Sequence, residues 1–196
     1  GAYVARRDFE RLVGGLPSHV MLIVDEAYYE YAVARDDYPV AETYRKECPM
    51  IVTLRTFSKV YGLASLRVGY AIAAKPIVEY LNRVRLPFNV SSVAQAAAAA
   101  AIDDDEHVAR SRAANDAGMA VLSAGLTKLG VKVFPSAGNF VLADFGREAT
   151  PIIDALLRKG VIIRPLGQTL ERHARISVGS PAELQKTLDA LTNVLG

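Results

Sequence analysis

Val20-Met21-Leu22-Ile23-Val24-Asp25-Glu26 is a continuous apolar run of strand length that stops on two carboxylates. A run of this kind predicts a strand buried on both faces of a parallel sheet, because a half-solvated strand alternates apolar with polar residues. Met50-Ile51-Val52-Thr53-Leu54 repeats the pattern and ends in Arg55-Thr56-Phe57-Ser58-Lys59; Val68-Gly69-Tyr70-Ala71-Ile72-Ala73 is a third run, closed by Lys75-Pro76. Three such runs in one half predict a central sheet. Helices are expected around it. Val4, Phe9, Leu12 and Val13 stand at helical spacing ahead of Gly14-Gly15, Pro76 suits a first helical turn, and Ser91 or Ser92 can cap the alanine-rich residues 93–102.

Asp103-Asp104-Asp105-Glu106 opens a long helical pattern reaching about Leu129. Carboxylates favour the positive end of a helix, so capping rather than metal binding is expected of this cluster. Beyond Gly130 the order changes to short strands near residues 131–133 and 139–142, a helix over 151–159, strands at 161–163 and 174–178, and a last helix from Pro181. The expected fold class is α/β: a partial large domain over residues 1–102, with a mostly parallel sheet and flanking helices, then a small α+β domain over residues 103–196. There is no internal repeat and no Pro- or Ser-rich linker.

Composition narrows the function classes. With 196 residues, 51% of them apolar, wholesale disorder is excluded. The 23 Lys and Arg against 21 Asp and Glu leave +2, too slight for the dense one-sided field that nucleic acid requires. Cys48 is the single cysteine, so no intrachain disulfide is possible and a bystander thiol is expected. No apolar stretch approaches roughly 18 residues, and the first residues lack the order of a secretion signal; the expectation is a cytoplasmic protein with no membrane partner. His19, His107 and His173 are isolated, so no metal site is expected. A Gly-x-Ser-x-Gly elbow, a Walker lysine loop and a dinucleotide glycine fingerprint are absent.

Asp25 ends one apolar run, Lys59 lies just past another, and Arg67 follows Lys59 by eight residues. Ligands of open α/β sheets bind beyond the carboxyl ends of the strands, which would bring an acid, an amine and a guanidinium to one crevice. A lysine amine can form an imine with an aldehyde cofactor, and a carboxylate beside a pyridine nitrogen keeps that ring protonated and electron-withdrawing. The hydroxyls of Thr56 and Ser58, with Arg67, suit a phosphate. Pyridoxal phosphate needs all three kinds of group.

Val24-Asp25-Glu26-Ala27-Tyr28, Thr56-Phe57-Ser58-Lys59 and Gly62-Leu63-Ala64-Ser65-Leu66-Arg67-Val68-Gly69-Tyr70 together resemble the class I/II aminotransferases, and among them the histidinol-phosphate branch. The resemblance implies that Lys59 is the Schiff-base lysine, that Asp25 pairs with the pyridinium nitrogen, and that Tyr28 hydrogen-bonds the phenolic oxygen. Thr56, Ser58 and Arg67 match the phosphate-binding positions. In the second half Arg175, within Ala174-Arg175-Ile176-Ser177-Val178-Gly179, resembles the arginine that clamps a substrate carboxylate or phosphate; Arg164 resembles a second arginine of that pocket, and Asn139 a wall of it.

The implied reaction is amino transfer between histidinol phosphate and 2-oxoglutarate, with small amino and oxo compounds as partners. The family's chain is about twice this long by resemblance. The expectation is therefore an isolated chain that is inactive, and that pairs with a missing N-terminal half or forms a homodimer. Aromatic-amino-acid transamination, threonine-phosphate decarboxylation and a non-catalytic remnant of the fold stay open as alternatives.

Overall fold

A computed structural model describes residues 1–196. The chain forms two compact units, one of residues 3–111 and one of residues 1–2 with 112–196. The division falls inside a helix of 24 residues, Asp105–Lys128, rather than ahead of it at residue 102.

The first unit runs α1 (Arg6–Gly15), β1 (Leu22–Asp25), a single turn α2 (Tyr29–Ala32), β2 (Ile51–Thr56), β3 (Gly69–Ala73), α3 (Lys75–Val84) and α4 (Ser92–Ala101). Its sheet has the order β1-β2-β3. β1 lies parallel to β2, with Leu22 beside Ile51 and Asp25 beside Leu54. β3 returns antiparallel, so only one of the two pairings is parallel.

Burial on both faces of β1 is not what the structure shows. Leu22 and Val24 pack against Phe9 and Val13 of α1 and against Ala41, Cys48 and Ile51. The alternate residues point to the other face, where Ile23 is 59% exposed and Leu54 36% exposed. One face of the first sheet is thus packed while the other presents apolar side chains to solvent.

A second cluster lies past the end of β2. Phe57 and Val68 pack on Ala94 and Ala98, one turn apart on α4, and methyl side chains at that spacing let the helix approach closely. The expected cap of α4 is present: the Ser91 hydroxyl accepts from the amide of Ala94 at 3.2 Å. Pro76 occupies the first turn of α3, as its fixed φ predicts.

The helix Asp105–Lys128 is α5, followed by β4 (Lys132–Phe134), β5 (Phe140–Asp144), α6 (Thr150–Arg158), β6 (Arg164–Pro165), β7 (His173–Ser177) and α7 (Pro181–Leu195). The acidic cluster does cap α5, with Asp104 Oδ1 accepting from the amide of His107 at 2.9 Å. The second unit's sheet has the order β4-β5-β7-β6, antiparallel throughout. Its core joins Leu122 and Leu126 of α5, Val141, Ala143, Ala174 and Ile176 of the sheet, and Leu156, Leu184 and Leu191 of the later helices.

The strand expected at residues 161–163 is displaced, and pairing begins only at Arg164. Gly160 (φ 72°) ends α6 in a left-handed cap, in which the amide of Val161 returns to the carbonyl of Leu156 at 3.0 Å and that of Gly160 to Leu157 at 2.9 Å. Val161 therefore belongs to the cap. Gly130 (φ 76°) closes α5 with the same geometry onto Leu126 and Thr127. No helix is long and apolar enough to cross a membrane, and no three His, Cys, Asp or Glu side chains are grouped to hold a metal ion.

Candidate active site

Asp25 is the last residue of β1 and Thr56 the last of β2, so both parallel strands deliver their polar termini to one end of the sheet. β3 starts at that same end, with Gly69 opposite Thr56, which brings in Arg67 two residues earlier. Side chains alternate across the sheet, so Asp25 and Thr56 share one side while Glu26 and Arg55 fall on the other. Asp25 Oδ1 accepts from the amide of Ala27 at 3.0 Å, and Thr56 Oγ1 from the amide of Ser58 at 3.1 Å. Each polar residue thus fixes the backbone turn that follows its own strand.

Lys59 opens a turn closed by the amide of Gly62 on the Lys59 carbonyl at 3.0 Å, and the amide of Leu63 returns to Phe57 at 3.0 Å. The side chain is half-buried. Its Nζ lies 5.1 Å from the centroid of the Tyr28 ring, with no carboxylate in ion-pair range. An amine not locked into an ion pair can attack a carbonyl carbon once it has given up its proton. Arg67 stands in the left-handed region (φ 53°), unusual for a side chain of its size, and donates to the carbonyl of Ala64 at 2.6 Å. Arg67 is otherwise exposed. Asp25, Tyr28, Thr56, Ser58, Lys59 and Arg67 thus gather at one end of one sheet.

Behind them lies a polar network that the sequence reading missed. Glu26 is 3% exposed, and its carboxylate accepts from Arg55 Nε at 3.0 Å and from the amide of Ala41 at 3.0 Å. A terminal nitrogen of Arg55 adds a contact of 3.0 Å to Glu26 and one of 3.8 Å to Glu42. The Arg55 guanidinium covers the Tyr29 ring at 3.5 Å. Burial works against the Arg55 charge, but a hydrogen bond to Tyr70 and the pairing with Glu26 outweigh it, and its pKa lies above the ordinary arginine value. Burial, then the charge and hydrogen bond of Glu26, push the Tyr38 phenol well up.

Glu30, 6% exposed, is close enough to the Tyr61 phenol for each to perturb the other's titration. Burial raises the Glu30 carboxyl above its ordinary 4.5, and burial with the Glu30 charge pushes Tyr61 up to about 12. A raised acid holds its proton longer in the native than in the unfolded chain. Its contribution to stability therefore falls as pH rises from 4.5 through the raised native value, and is level above it. Glu30→Gln keeps a polar group beside Tyr61 without the buried charge, so it should stabilise the protein at neutral pH and leave it little changed at acid pH. Thermal melts of parent and variant across that interval check this; a variant less stable at neutral pH would contradict the assignment.

In the second unit, Arg164 and Arg175 are directly paired across β6 and β7. Arg175 lies over the Phe140 ring at 5.0 Å, its Nε buried without a hydrogen-bond partner, while Arg164 is exposed. Like charges opposed across a strand pair are unfavourable unless an anion offsets them. Neither has a carboxylate in ion-pair range, so an anion seated between them would offset the repulsion. Asn139 sits at the turn before β5, where its carbonyl accepts from the amide of Val178 at 2.8 Å. Buried Asn115 of α5 donates to the neighbouring Gly138 carbonyl at 3.3 Å, another contact the sequence reading did not anticipate.

Residues 1–191 match the family model for aminotransferase class I and II. The chain belongs to the class I and II aminotransferases. Across its full 196 residues it is 49% identical to histidinol-phosphate aminotransferase 2 of Methylococcus capsulatus, covering 53% of that protein. It is 47% identical to the protein of the same name from Pseudomonas aeruginosa, again covering 53%. The crystal structure of histidinol-phosphate aminotransferase from Sinorhizobium meliloti in complex with pyridoxal-5'-phosphate superposes with a TM-score of 0.91 at 32% identity, over 100% of this chain and 54% of that one. The chain spans about half the length of the curated relatives it matches.

Proposed function

We propose that the protein to which this chain belongs is a pyridoxal-phosphate-dependent aminotransferase that exchanges an amino group between histidinol phosphate and 2-oxoglutarate, in histidine biosynthesis in the cytoplasm. What carries this reading is Lys59: an amine without an ionic partner, at the sheet end where Asp25, Thr56, Ser58 and Arg67 also arrive, in a chain whose whole length matches proteins of that name.

The residues present fit the cofactor. Asp25 is exposed and keeps one carboxylate oxygen free of the Ala27 contact, leaving an acceptor for a ring N–H. Tyr28 would serve the phenolic oxygen, and the Ser58 and Thr56 hydroxyls with the Arg67 guanidinium would hold the phosphate. When bound, pyridoxal phosphate supplies a ring that takes up negative charge from the substrate carbon. Lys59 would hold the cofactor's aldehyde carbon through Nζ and, once released by the substrate amine, would be the base placed to take the proton from the carbon bearing that amine. Tyr28, whose ring centroid lies 5.1 Å from Nζ, lines the lysine's path. Arg164 and Arg175 would take the substrate's phosphate or carboxylate in bidentate hydrogen bonds, with Asn139 shaping the adjacent turn.

The relatives' additional length would supply the remainder of the cofactor's surroundings and cover the exposed face of the first sheet, and a homodimer is the expected assembly. The chain alone is then inactive. The test joins this sequence behind the N-terminal portion of the M. capsulatus relative, loads the fusion with pyridoxal phosphate, reduces it with borohydride and maps the modified peptide by mass. Label on Lys59 is expected; label on another lysine refutes the assignment. A panel of histidinol phosphate, aromatic amino acids and threonine phosphate then assigns the substrate.

A further inference from the structure

His107 reads in the sequence as an isolated histidine, yet its Nε2 lies 3.0 Å from the carbonyl of Val60, the residue after Lys59 and 47 positions away along the chain. Three carbonyls of this segment have fixed partners: those of Phe57 and Lys59 bond to Leu63 and Gly62, and that of Val60 bonds to His107. Val60 is 3% exposed, so solvent does not substitute readily for the imidazole. A carbonyl only accepts, which places a proton on Nε2; the Ser111 hydroxyl, 3.3 Å from the same nitrogen, is then a second acceptor from that N–H.

The histidine is itself held. Its amide donates to Asp104 Oδ1 at 2.9 Å in the first turn of α5, so the cap of the helix also sets where the ring projects. On the other side of the turn Phe57 packs on the Tyr61 ring, their centroids 4.9 Å apart. The Val60 peptide is thus gripped from α5, while the lysine side chain emerges toward Tyr28.

We infer that His107 is a positioning residue for Lys59: by holding the Val60 carbonyl it keeps the turn of residues 59–62 in the one conformation that presents Nζ for capture of the aldehyde. The inference rests on the reading of Lys59 as the capturing lysine. Positioning of this kind acts on rate through the population of the competent geometry, so its loss slows capture without removing any group that touches the cofactor.

The test uses the fusion described above, in cofactor-free form. Amide hydrogen exchange is read over residues 58–63, and the rate of borohydride-trapped labelling of Lys59 is read after pyridoxal phosphate is added. H107A should raise exchange over 58–63 and slow labelling, each by about tenfold, the scale of one lost buried hydrogen bond. H107Q, whose amide nitrogen can donate from near the Nε2 position, should recover both to within about threefold. H107L fills the space without donating and should behave as H107A does, so the H107L and H107Q pair decides the matter if H107A fails to fold. Parent-like exchange and labelling in H107A or H107L overturns the inference, as does an H107Q no better than H107L. If the parent carries its label on a lysine other than Lys59, the functional reading and the inference fall together; if it carries the label on Lys59 and the variants are silent, the inference alone falls.

Discussion

Lys59→Ala, made in the fusion with the N-terminal portion of a relative, should lose amino transfer by about a thousandfold or more, since the change removes a covalent partner and the proton-transferring base at once. Lys59→Arg should fare no better, because a guanidinium stays protonated and cannot attack a carbonyl carbon. The space left by Lys59→Ala is one that a small primary amine can enter. Added methylamine should therefore restore part of the lost rate in the alanine variant and little in the arginine variant. Steady-state rates with and without the amine make the measurement. An alanine variant within tenfold of the parent would remove Lys59 from the chemistry.

Glu26→Gln should cost the first unit about 2–4 kcal/mol, because it leaves the largely buried Arg55 charge with only the more distant, partly exposed Glu42 carboxylate. The side chains of Arg55 and Glu26 are only 9% and 1% exposed, so water is a poor replacement partner. Replacing both, Glu26→Leu with Arg55→Met, should cost less than the single change, since a matched apolar pair carries no desolvation penalty. The chain has no tryptophan and nine tyrosines, all between Tyr3 and Tyr80, so tyrosine fluorescence during urea unfolding reports on this unit alone. Additive losses in the double variant would show that the two groups do not act as a pair.

Three residues of the candidate site were legible because each stands at the edge of an apolar run: Asp25 at the end of β1, Lys59 just past β2, Arg67 just ahead of β3. A break from apolar to polar is a local signal, and the sheet carries it to one end whatever the detail of the pairing. The direction of β3 was not legible, because an apolar run reads the same in either sense and the antiparallel return is made by the loop of residues 57–68, which has no α-helix to carry the chain back to the other end of the sheet. The displaced strand after α6 has a local cause that the apolar pattern of Val161 and Ile163 hides, since a buried cap residue and a buried strand residue look alike. Glu26 with Arg55, and His107 with Val60, join positions 29 and 47 residues apart. No spacing rule reaches that far. The acidic cluster before His107 did carry a readable signal, the helix cap, and it is this cap that fixes the direction of the imidazole.

Arg164, on a strand only two residues long, stands directly opposite Arg175 of β7, so two like charges meet across the last pairing of the second sheet. A dianion seated between the two guanidinium groups would offset their repulsion across that short pairing. The pairing would then gauge cargo by charge before any bond changes, and a neutral compound of the same shape would leave the repulsion standing.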